Sequence, residues 1–72
     1  MGSLRRGSVV GFDVERGTGE LSDSLDGARY PFHCTAIADG TRQIDVGAGV
    51  AFVLARGQLG RVEAVEVLAL DA

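Results

Sequence analysis

The sequence predicts an all-β fold, a small five-stranded Greek-key barrel with one short helical turn after the third strand. Three observations carry that expectation. β-Branched and other apolar residues come in five short bursts separated by Gly and Asp, at spacings too tight for helices. The chain has 72 residues, 46% of them hydrophobic, which is enough for one thin core and no second domain. Between the strands, Thr35-Ala36-Ile37-Ala38 is too short for a stable α-helix and fits a single helical turn with Thr35 as its cap.

Each element has a local reason. Ser8 to Val14 is the first strand, and the two glycines of Glu15-Arg16-Gly17-Thr18-Gly19 accept positive φ in the hairpin turn that closes it. Glu20-Leu21-Ser22 returns as the second. Asp23 to Gly27 has turn chemistry, with carboxylates that bond their own backbone. Arg29 to Cys34 is the third strand; Pro31 lacks an N–H and assigns it to an edge, a strand start or a bulge, which suits an incompletely closed sheet. Asp39 to Asp45 is a polar loop. Gly47 to Arg56 alternates Val50, Phe52 and Leu54 onto one face, and Gly57 to Gly60 is a hairpin-length break. Arg61 to Leu70 is the fifth strand, because Val65 and Val67 alternate and a strand just upstream needs a partner; its competing reading is a helix, since EAVEVLAL contains good helix formers. The expected inward set is Val9, Leu21, Tyr30, Phe32, Ile37, Val50, Phe52, Val65 and Val67. This pattern matches a barrel of the oligonucleotide-binding type. Residues 1–72 make one domain, with 1–6 expected as a flexible N-terminus.

Composition narrows the function. Seven positive residues, all Arg, face ten negative ones for a net charge of −3, the wrong sign for a general polyanion binder. Cys34 is the only cysteine, so no internal disulfide forms, and a reducing cytoplasm is the expected location. The longest apolar stretch, Gly47 to Ala55, cannot span a bilayer, so no membrane partner is expected. Met1-Gly2-Ser3-Leu4-Arg5-Arg6 leads into no signal-type run, and Arg6 stands where myristoylation requires Ser or Thr.

In their order, these residues resemble the cold-shock proteins from about Gly7 to Leu70. Gly7-Ser8-Val9-Val10-Gly11-Phe12-Asp13 stands where that family has G-x-V-K-W-F-N, and Arg16-Gly17-Thr18-Gly19-Glu20-Leu21 stands for its first RNA-binding motif, K-G-F-G-F-I. Tyr30 to Ile37 stands for V-F-V-H-F-S-A-I, the second motif and the turn after it. Gly47, Val50, Phe52, Gly57, Ala64 and Val67 fall near the family's framework positions, with one extra residue between Gly57 and Ala64.

The resemblance implies single-stranded nucleic-acid binding by stacking bases on rings of the first three strands, and it also shows what is missing. Gly11 replaces the family's Trp; Thr18, Glu20, Pro31 and Cys34 replace four Phe; Val10 replaces a Lys. Base–ring stacking contributes ~1 to 3 kcal/mol per base, so losing these rings at even ~1 each removes about 5 kcal/mol, over three orders of magnitude in affinity. Glu20 adds repulsion toward phosphate. The candidate nucleic-acid-binding residues are therefore Val10, Phe12, Arg16, Thr18 and His33, forming a reduced platform for a low-affinity single strand. The competing expectation is a protein partner or a homodimer on the flattened surface.

Other chemistry is disfavoured. His33 and Cys34 are neighbours on a strand and are expected to point to opposite faces, which removes a thiolate–imidazole pair. One His and one Cys are too few soft ligands for a metal, and Asp23 and Asp26 lack calcium-loop spacing. Glu63 and Glu66 read as the solvent side of the fifth strand. Gly47-Ala48-Gly49 lacks the third Gly and the strand-to-helix context of a phosphate cradle. No catalytic set, metal or cofactor is expected, and the chain is not expected to be an enzyme. Arg5, Arg6 and Arg16, with Arg29 near them, are either a phosphate-collecting patch or ordinary solvated charge.

Overall fold

The computed structural model describes residues 3–38, 40, 43–57 and 60–70. Five strands, β1 (Arg5–Asp13), β2 (Thr18–Asp23), β3 (Arg29–His33), β4 (Gly49–Arg56) and β5 (Val62–Ala69), form one antiparallel sheet in the order β3-β2-β1-β4-β5. A single 3-10 turn, Cys34–Ala36, follows β3. The sheet curls until β3 lies beside β5, and a parallel bridge between Ile37 and Val67 joins the seam, with the Ala38 N–H donating to the Val67 carbonyl at 2.7 Å. β3 thus ends the hydrogen-bonded order, one of the three placements open to Pro31.

Two bulges shape the barrel. Val9 pairs with Leu21 and Gly11 with Glu20, so Val10 is an extra residue in β1. Ala51 pairs with Leu68 and Val53 with Val65, so β5 also holds one residue more than its partner, and Glu66 there adopts φ 50°. Each bulge lets two residues three apart face inward on one strand: Val9 and Phe12 on β1, Ala64 and Val67 on β5. This corrects the expected inward set, because Val65 is only half-buried and Ala64 takes its core position. Strict two-residue alternation fails where an extra residue interrupts the ladder.

One cluster of Val9, Leu21, Phe32, Ile37, Val50, Phe52, Ala64 and Val67 fills the barrel. Tyr30, expected fully inside, is half-buried at its margin, with its ring 6.4 Å from that of Phe52. The first strand begins three residues earlier than its apolar pattern suggests. Arg5 and Arg6, expected in a flexible N-terminus, pair with Phe52 and Ala51 on β4. Arg5 has a further anchor. Asp23 is 1% exposed, and its carboxylate accepts from the Arg5 guanidinium at 2.6 Å and from the Leu25 N–H at 2.8 Å. Those two donors hold the Asp23 carboxyl below its ordinary value, the guanidinium acting most strongly, and Asp23 in turn raises Arg5.

The cap of the 3-10 turn is His33 rather than Thr35, since the His33 ring accepts from the Thr35 N–H and its backbone is extended. Parts of the expected loop at Asp39 to Asp45 and of the break at Gly57 to Gly60 lie outside the described residues.

Candidate nucleic-acid interface

The outer wall of β1, β2 and β3 is set by the register. Thr18 lies opposite His33 and Glu20 opposite Pro31, while Gly11 lies opposite Glu20 and Asp13 opposite Thr18. Arg29, Pro31 and His33 share one face of β3 by alternation, and all three are exposed. Val10 and Gly11 both sit opposite Glu20 because of the bulge, and a side chain added at Gly11 would enter open space. His33 supplies the wall's aromatic ring. The Glu20 carboxylate lies 3.6 Å from Arg29 Nη1, an ion pair that spans β2 and β3 in the middle of the wall.

His33 is held by the turn that follows it. The Thr35 N–H donates to Nδ1 at 3.3 Å, and Thr35 Oγ1 lies 3.0 Å from the same nitrogen. With Nδ1 accepting, the neutral ring carries its proton on Nε2, the atom left to meet a ligand. Cys34 lies closer than strand alternation suggests: its Sγ is 3.8 Å from His33 Nδ1. The expectation that the two point apart is corrected because β3 ends at His33, and Cys34 already belongs to the 3-10 turn.

Phe12 needs a second correction. It lies opposite Gly19, and Gly19 opposite Phe32, so the two Phe face the same side across a residue with no side chain. Their rings stack at 6.0 Å with a 13° interplanar angle, and a methyl group on Gly19 would sit 2.5 Å from Phe32 and 2.8 Å from Phe12. Gly19 is the gap into which both rings close. Phe12 is therefore a half-buried rim of the core, on the opposite side of the sheet from Thr18 and His33. The bulge at Val10 turns it there, and nothing local in the sequence marks that bulge.

Of the two readings of the Arg residues, the structure favours separate charges over a patch. Arg5 begins the nine-residue β1 and Arg16 lies in the turn beyond its far end. Arg5 is bound to Asp23, and Arg16 lies 3.8 Å from Asp13 in the hairpin turn. Gly17 in that turn is buried at φ 68° with Cys34 Sγ against it, and its carbonyl accepts from the Cys34 N–H at 2.7 Å. The hairpin turn and the 3-10 turn are thereby locked together at one end of the wall.

Two residues absent from the sequence-based site border it. A cleft of about 560 Å³ lies in the seam between β3 and β5, with His33 and Thr35 on one side and Glu63 and Glu66 on the other. A smaller one of about 160 Å³ joins Thr18, Pro31 and His33 to Glu63. The carboxylates of Glu63 and Glu66 disfavour phosphate at the seam. Among the described residues, no group of three His, Cys, Asp or Glu is placed to hold a metal ion, and no helix is long and apolar enough to cross a membrane.

The architecture is that of a five-stranded barrel of the oligonucleotide-binding class. No protein-family model matches the sequence, and no curated protein matches it. Among solved structures, the chain is similar to Drosophila Unr CSD456, at 27% identity and a TM-score of 0.79 over 97% of this chain; it spans 28% of that chain's length. The fold is that of a cold-shock domain.

Proposed function

We propose that this domain is a non-enzymatic, cytoplasmic module that binds single-stranded RNA or DNA weakly on the β1–β3 wall. The fold belongs to a nucleic-acid-binding class. The observation that carries the reading is His33: an exposed ring whose Nδ1 is held by Thr35, opposite Thr18 and sharing a face with Arg29. An imidazole and a guanidinium plane both stack on bases, and Arg29 also reaches phosphate. Thr18 and Val10 give the strand a surface to lie on, with Arg16 at its end. Phe12 contributes by bracing Gly19 and Phe32 from behind. Binding is weak because the other ring positions hold Gly11, Glu20, Pro31 and Cys34, and because Glu20 competes with phosphate for Arg29.

An NMR titration with oligo-dT and oligo-U at low salt tests it. Amide shifts on β1, β2 and β3 that fade as salt rises support the proposal. No perturbation at millimolar oligonucleotide overturns it. The second reading, a protein partner on the same wall, is favoured by the Glu20–Arg29 pair and the open space at Gly11, which leave a flat polar surface. In that case, oligonucleotides leave the wall unshifted, and the chain is recovered in a heavier protein complex through these residues.

A further inference from the structure

The other outer wall, built by the first half of β1 with β4 and β5, has a different chemistry. Val50 and Phe52 point into the core, so Ala51 and Val53 lie on the outer side of β4, Ala51 covered to 4% exposure by its neighbours and Val53 half-buried. The register aligns Arg6, Ala51 and Leu68 in one row and Val53 with Val65 in the next. Leu70 donates its N–H to the Gly49 carbonyl at 2.8 Å, and Gly49 opens on empty space. Because of the β5 bulge, Val65 and Glu66 both turn outward, and Leu68 and Leu70 are 49% and 43% exposed. The centre of the wall is apolar. Arg6 stands at its β1 edge and Glu66 at its β5 edge, and among the described residues neither has an ion-pair partner.

We propose that this wall is the contact between two copies of the chain, packed face to face about a two-fold axis running along β4. Such an axis carries β1 of one copy over β5 of the other. It therefore brings each Arg6 toward Glu66 of the second copy, forming two ion pairs from one self-complementary edge pattern. Aligned sheets pack ~10 Å apart with interdigitated faces. Gly49 and Ala51 form a shallow trough along β4, beside which Leu68 and Leu70 of the other copy settle. A standard interface covers ~800 Å² per partner, about one-sixth of this chain's 4934 Å². The β1–β3 walls are left on the outside of the pair.

The test is sedimentation velocity of the full chain from micromolar to millimolar concentration. The sedimentation coefficient should climb toward that of a dimer. Leu68→Asp should abolish the climb. Arg6→Glu and Glu66→Arg should each weaken association about tenfold or more, and an equimolar mixture of the two should restore it, because the mixed pair regains both contacts. Near-ultraviolet circular dichroism checks that each variant is folded; should Leu68→Asp unfold, the charge exchange decides the matter alone. A monomer across the whole range would overturn the proposal, as would a dimer indifferent to the charge variants. No nucleic acid enters this test, so its failure leaves the reading of the β1–β3 wall untouched.

Discussion

The barrel's two outer walls rest on the same core and share β1, yet they differ in chemistry. On β1–β3, the outward positions hold Val10, Gly11, Asp13, Thr18, Glu20, Arg29, Pro31 and His33, a mainly polar set in which Glu20 is paired with Arg29. On β1–β4–β5 they hold Ala51, Val53, Val65, Leu68 and Leu70, with the charges at the margins. The inward faces have little such freedom, since a Cβ at Gly19 or a polar group at Leu21 would disturb packing across the whole barrel. An outward position is constrained only by what touches it from outside. The fold tolerates either chemistry on its outer face.

The largest expected effect comes from rebuilding the first wall. Gly11→Trp, Thr18→Phe and Glu20→Phe together return three rings to positions that face solvent. At ~1 kcal/mol or more per stacked base, oligo-dT affinity should rise at least ~100-fold, read by quenching of the new Trp. Unchanged affinity would mean that the wall lacks the geometry of a binding platform, whatever residues it holds. Phe12 divides the two sides of the sheet. Phe12→Ala should cost about 2 kcal/mol in urea unfolding, less than a fully buried Phe, and leave oligonucleotide shifts in place. Loss of binding with stability intact would return Phe12 to the outer wall.

Acid should act on the Arg5–Asp23 pair that ties β1 to the end of β2. With the Asp23 carboxyl lowered in the folded chain, its contribution is complete above the unfolded value of ~3.9 and is lost as pH falls through the folded value below that. The Tm should hold from neutral pH down to about pH 5 and drop further down. Asp23→Asn should lower the neutral plateau and flatten the acid limb. The smallest effect is expected at the exposed ion pair: Glu20→Gln should change stability by no more than ~1 kcal/mol while freeing Arg29 and strengthening oligonucleotide binding modestly, less than tenfold. Weaker binding in that variant would show that the pair orients Arg29 rather than occupying it.

Much of the site could be read from the chain, and the misses share one cause. Thr18, Pro31 and His33 came out on one face because β2 and β3 pair without interruption. Phe12 and Val65 came out on the wrong side because each lies at or just beyond a bulge, where one added residue shifts the parity of everything after it. Arg5 read as a free terminal charge because its partner, Asp23, is 18 residues away and looked complete as a turn residue. The contact between His33 and Cys34 depends on where the strand stops, and strand ends are weakly marked in sequence.

The residue order alone determined the number of strands, the turns between them and most of the core, and narrowed β3 to an edge, a strand start or a bulge, since alternation, glycine and proline act over a few residues. Tertiary structure decided which side of the sheet Phe12 and Val65 occupy, which partner neutralises Arg5, and how the outward residues gather into one polar and one apolar wall. Those outcomes depend on the pairing of distant strands, and a one-residue difference in ladder length reverses a side chain's direction without changing its local sequence.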